Sequence, residues 1–143
     1  MSAADLVLVC ALELLGRSAD RLPRIEILET RPAGVSPNAT AFVDPSQRAI
    51  YLMASGAAFS DAMAAQSSRA ECRDLDSLRM VASIIAHELW HVTHGPDEVG
   101  AYYAQLMELL RLGLGPGRWP YHSVMRSLEA VLKSRDRGGR TAN

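Results

Sequence analysis

The sequence predicts an α+β fold in which a short, mainly antiparallel sheet packs on one central helix, with further helices around it. Three observations carry that prediction. Residues 24–29 alternate polar and apolar with period two, as a half-exposed strand does. Two short strand-like segments, Ala39 to Val43 and Ala49 to Met53, flank Asp44, Pro45, Ser46, Gln47 and Arg48, whose turn chemistry suits a hairpin. Residues 78–93 are apolar on two faces at helical spacing, the pattern of a helix in the middle of a domain.

Taken in order, the chain opens with a helix over residues 3–16, starting near Ser2 and ending at Gly16. Its apolar run from Leu6 to Leu12 is preceded by Asp5, interrupted by Glu13 and preceded by no basic residue. It falls far short of the ~20 apolar residues of a membrane span, so it reads as a core helix. The strand at 24–29 turns Ile25 and Ile27 inward. A loop rich in Pro and Gly covers Arg31 to Asn38. After the hairpin, a short helix is expected around Phe59 to Gln66, with a surface loop beyond it.

Asp74, Asp76 and Ser77 are residues that cap or charge a helix N-terminus, and the central helix follows them. Leu78, Val81, Ile85, Leu89 and Val92 line one side; Met80, Ile84, His87 and His91 line another. Gly95 and Pro96 must end it, because proline cannot continue the hydrogen-bond ladder. A second helix starts near Asp97 and runs to about Leu110. Gly113 to Gly117 is a break, and Tyr121 to Ser134 is a final amphipathic helix.

With 143 residues, the chain makes one domain, assigned to residues 1–134. Hydrophobic residues make up 48%, charged residues 22%, and the formal net charge is -1. That balance is globular and offers no concentrated basic face, so nucleic acid and membrane are both excluded as expected partners. The basic cluster from Lys133 to Arg140 reads as part of a solvated, disordered tail over residues 135–143. Cys10 and Cys72 lack metal-type spacing and read as two idle thiols in a reducing cytoplasm, the location expected by default. The oligomeric state stays open.

The chemistry is carried by His87, Glu88 and His91, the pattern H-E-x-x-H. On a helix, residues four apart share a face, so both imidazoles reach one tetrahedral zinc. Glu88 is rotated about 100° from His87. Its carboxylate therefore meets a water polarised by the metal and accepts its proton. Two histidines leave the ligand set incomplete. Glu98 is the first choice for the third ligand, with Asp97 the alternative and His94 or His122 behind them. In an unbroken helix Glu98 would lie ~10 Å further along the axis; the break at Gly95 and Pro96 lets the chain turn back. Gly100, Ala101 and Ala104 are small enough for close approach to the central helix. Tyr102 and Tyr103 are candidate catalytic phenols, able to donate to a developing oxyanion. His94 reads as a helix-end histidine, and His122 as a surface or packing residue.

Over residues 39–110 the sequence resembles the gluzincin branch of the zincin metallopeptidases, in its minimal single-domain form. The resemblance rests on His87 to His91 and on the stretch from Glu98 to Ala104. It implies a zincin-like domain with His87, His91 and Glu98 as zinc ligands and Glu88 as base. It also implies an edge strand beside the active-site helix, within the hairpin of Asn38 to Asp44 and Ala49 to Leu52, that holds a peptide or protein substrate by strand addition. Two departures stand out. The link between His91 and Glu98 is short for a gluzincin. A metzincin-like reading would use Asp97, but the glycine it expects three residues after the second histidine is His94, with Gly95 one place late. The expected activity is zinc-dependent peptide-bond hydrolysis. The alternatives are a regulatory or binding module with a structural zinc, and a hydrolase of non-peptide amides or esters. A peptide deformylase would need an upstream cysteine ligand in a glycine-rich motif, which Cys72 does not supply.

Overall fold

A computed structural model describes residues 1–17, 19–66 and 71–141, and the side chains of all of these but residues 19 and 138–141. The surface loop expected beyond Gln66 falls partly on residues 67–70, outside the described residues. The elements are α1 (Ala3–Leu15), a 3-10 turn (Ala19–Arg21), β1 (Arg24–Leu28), β2 (Ala41–Asp44), β3 (Ala49–Met53), α2 (Ala57–Gln66), α3 (Asp76–His94), α4 (Glu98–Arg111) and α5 (Trp119–Thr141). The fold is α+β, as expected.

Helix α1 begins with a capping box. The Ser2 hydroxyl accepts the Asp5 N–H at 3.1 Å, and the Asp5 carboxylate accepts the Ser2 N–H at 3.4 Å. It ends at Gly16, whose φ of 69° is left-handed. Val7, Cys10, Ala11 and Leu15 are buried, so the apolar run is a core helix. No helix among the described residues is long and apolar enough to cross a membrane.

The sheet has the order β1-β3-β2 and is mixed, which corrects the expectation of a mainly antiparallel sheet. β2 and β3 form the expected hairpin, with Ala41 opposite Leu52 and Asp44 opposite Ala49. β1 runs parallel to β3, from Arg24 opposite Ala49 to Leu28 opposite Met53. The reason lies in β3, where Ala49, Ile50, Leu52 and Met53 are all buried. A strand so apolar takes the centre of a sheet. The loop between β1 and β2 carries the chain past that central slot instead of closing a tight turn. Arg31 holds this loop by donating to the carbonyls of Ser36 and Ala39.

Helix α3 is the centre of the domain, buried almost continuously from Ser77 to Leu89. Its N-terminus is not capped as expected: the cap position is Leu75, with no side-chain hydrogen bond. The acids serve ion pairs instead. Asp76 takes both oxygens to Arg118 at 2.8 Å, tying the start of α5 to α3, and Asp74 pairs with Arg79. Helix α5 runs past the end expected at Ser134, to Thr141, and residues 142–143 of the expected tail lie outside the described residues. Arg135, within that extension, donates to Asp97 at the start of α4 at 3.2 Å, which gives the extra turns a tertiary partner.

The cysteines correct a further expectation. Cys10 and Cys72 form a disulfide across 62 residues, with Cα atoms 5.5 Å apart. Sequence spacing could not pair them, because the approach depends on α1 packing against the segment that leads into α3.

Candidate metal centre

The site sits where α3 and α4 converge. Gly95 ends α3 with a φ of 89°, a left-handed value that glycine adopts without strain, and its N–H bonds the His91 carbonyl at 2.9 Å. Pro96 follows, and Asp97 caps α4 by accepting the Val99 N–H at 3.2 Å. The chain therefore doubles back and brings Glu98 over the face that carries His87 and His91. Close approach depends on Gly100. A Cβ there would lie 3.0 Å from Cε2 of Trp90 and nearer still to Cζ2 and Cη2.

His87, His91 and Glu98 each present one ligand atom, all within 4.8 Å of one another. The Nε2 atoms of His87 and His91 stand 3.2 Å apart, and Glu98 Oε1 is 3.5 Å from His87 Nε2 and in contact with His91 Nε2. Bonds of ~2.0–2.1 Å at tetrahedral angles place ligand atoms about 3.3 Å apart. The two separations given straddle that spacing.

Hydrogen bonds on the far side of each ring fix which nitrogen faces the centre. His91 Nδ1 lies 2.8 Å from the Gly95 carbonyl, which only accepts, so Nδ1–H donates and in the neutral ring the lone pair is on Nε2. For His87 the same conclusion follows through three links. The Ser83 hydroxyl donates to the Met80 carbonyl at 2.7 Å, so its oxygen accepts from Gln105 Nε2 at 3.1 Å. That orients the amide with Oε1 towards His87 Nδ1 at 3.0 Å, and Nδ1–H must donate. Both lone pairs then point into one small volume beside a carboxylate. Such a set is repulsive alone and suits a divalent cation. Two imidazoles and one carboxylate accept zinc and other first-row divalent ions alike.

The electrostatics agree. Burial pushes the His87 imidazole below its usual range, outweighing Glu98, which raises it; His91 lowers it further. A neutral imidazole is the form that binds metal. Glu88 is 7% exposed and stands 3.9 Å from His87 Nε2, inside the cleft and beside the triad. Burial pushes its carboxyl up to about 7, with His91 opposing and Glu98 adding to the shift.

Tyr102 belongs to the site: its ring meets the His87 ring edge-on, with centroids 4.6 Å apart. Burial raises its phenol above the usual range, with Glu98 adding to this and Ser127 opposing it. Tyr103 is 54% exposed and lies outside the cleft. Neighbours on a helix point about 100° apart, so only one of the pair can face α3. Asp97 is occupied as a cap and by Arg135. His94 stacks on Trp90 at 4.6 Å, and His122 Nε2 accepts the Gly117 N–H at 3.1 Å. Neither points at the triad.

Sequence reading missed Gln105 and Ser83. Both had a visible signal, as polar residues on buried helical faces. Gln105 is two turns after Glu98, and Ser83 is four residues before His87.

The triad lies in a cleft of about 870 Å³. One wall is β2, an edge strand of the sheet. The Met53 N–H bonds the Thr40 carbonyl at 2.9 Å, which sets the alternation along the pair. Thr40, Phe42 and Asp44 turn their backbone groups towards β3. Ala41 and Val43 turn theirs to the outer edge, and both line the cleft. The opposite wall includes Trp119, Ser123, Val124 and Ser127 of α5.

In comparisons with known proteins, the chain matches no family model, no curated protein and no solved structure.

Proposed function

We propose that this protein is a zinc-dependent metallopeptidase acting on an extended peptide or protein segment. The observation that carries the reading is the convergence of His87 Nε2, His91 Nε2 and Glu98 Oε1, with Glu88 beside them and an edge strand along the same cleft. Zinc, when bound, supplies Lewis acidity towards a water and the scissile carbonyl. His87, His91 and Glu98 hold it. Glu88 takes up a proton and returns one to the leaving amine. Tyr102, whose ring packs edge-on against His87, is the proposed donor to a developing oxyanion. Ala41 and Val43 offer N–H and C=O groups to a substrate strand.

The reading of a structural zinc in a regulatory module is less well supported. Structural sites are closed by four protein ligands, whereas this set has three and opens on a cleft. A disulfide persists where thiols are oxidised, so Cys10 and Cys72 argue for an oxidising compartment over the expected cytoplasm.

The test is metal content beside peptide cleavage. Glu88→Gln should keep about one zinc per chain and lose turnover by at least ~100-fold. Glu98→Ala should lose the metal, while Asp97→Ala keeps it. Wild-type cleavage by Glu88→Gln would overturn the mechanism.

A further inference from the structure

Among the described residues the cleft is lined by one cation whose side chain has no hydrogen bond or ion pair, and we propose that this residue, Arg48, makes the cleft selective for a carboxylate on the bound peptide. The nature of the ligand rests on the peptidase reading. Arg48 lines the cleft at its hairpin end with Val43 and Pro45, and no other Lys or Arg lines it among the described residues. Five arginines elsewhere are committed: Arg24 to Glu26, Arg79 to Asp74, Arg111 to Glu108, Arg118 to Asp76, Arg135 to Asp97. The Arg48 guanidinium has no hydrogen bond or ion pair among the described residues. The nearest carboxylate along the chain, Asp44, is taken up by Ser46, whose N–H and hydroxyl reach it at 3.1 and 2.7 Å.

The backbone adds an independent observation. Arg48 has a φ of 48°, and no other non-glycine residue among those described has a positive φ. Its N–H bonds the Pro45 carbonyl at 3.4 Å, closing the turn before β3 begins at Ala49. At such a position glycine is the default, since any Cβ is strained in the left-handed region. The turn thus keeps a charge where backbone preference favours a residue with no side chain. A residue held against local preference beside a cleft is a candidate for function.

A strand paired with the outer edge of β2 runs along Ala41 and Val43, and at the hairpin end it meets Arg48. The planar guanidinium binds a carboxylate with two parallel hydrogen bonds. The carboxylate can be an Asp or Glu side chain, or the peptide's own C-terminus.

The experiment uses zinc-loaded Glu88→Gln protein, so that binding is read without cleavage, and calorimetry with apolar hexapeptides. Glu and Gln are compared at each position, with free and amidated C-termini. The expected result is one position where Glu binds about five- to tenfold tighter than Gln, or the same gain for a free over an amidated terminus. The gain should fall to about onefold in Arg48→Gly, a change the backbone favours, and survive in part in Arg48→Lys. Equal binding of all four peptide types, or a gain that persists in Arg48→Gly, would overturn the proposal and leave the peptide reading standing. Failure of every hexapeptide to bind would overturn both.

Discussion

Replacing Gln105 by leucine isolates the idea that α4 both supplies a ligand and sets the tautomer of another. Gln105 is 4% exposed and bridges the Ser83 hydroxyl to His87 Nδ1 at 3.1 and 3.0 Å. Leucine fills much of the same volume and has no acceptor. In Gln105→Leu the buried Nδ1–H of His87 loses its partner, at a cost of about 1–3 kcal/mol. The ring can escape by moving its proton to Nε2, but that removes the lone pair needed by the metal. Either route weakens binding, and losses of about 10–100-fold are typical when such a partner is removed. Gln105→Glu keeps an acceptor towards His87 and should retain binding. Zinc affinity would be measured by competition with a chromophoric chelator, beside thermal unfolding of the metal-free protein. Gln105→Leu with wild-type affinity would refute the argument that the Ser83–Gln105 chain fixes His87.

Three further outcomes are expected. Gly100→Ala forces a Cβ into the Trp90 ring, so α4 must withdraw from α3; a loss of about 1–3 kcal/mol in urea unfolding is expected, together with weaker zinc binding. The second concerns pH. Glu88, raised from 4.5 to about 7 in the folded metal-free protein, contributes stability that is fully present below pH 4.5 and lost as pH rises through 7. His87 acts oppositely, contributing above pH 6.5 and losing that contribution as pH falls. Denaturation of wild type beside Glu88→Gln between pH 4 and 8 separates the two, and the wild type should lose ground to the variant as pH rises. Finally, thiol titration of denatured, unreduced protein should find no free thiol. Cys10→Ser with Cys72→Ser should cost about 4 kcal/mol from loop entropy across 62 residues.

Much of this protein was legible without coordinates, because the relevant information is local. Period-two alternation marked β1, and the turn residues from Asp44 to Arg48 marked the hairpin. The spacing of His87 and His91 placed two imidazoles on one helical face, since helix geometry is the same in every chain. The Gly95 and Pro96 break announced that Glu98 could return to that face.

What the tertiary structure decided was everything that depends on how separate elements meet. Periodicity does not say which strand is central, so the parallel pairing of β1 with β3 emerged only once the burial of β3 was known. The rotation of α4 about its axis separated Tyr102 from Tyr103 and made Asp97 a cap and Glu98 the convergent carboxylate. The packing of α4 on α3 brought Gln105 to His87 across 18 residues, and that of α1 brought Cys10 to Cys72 across 62. Such contacts are set by the summed packing of whole helices, a quantity that no short stretch of sequence contains.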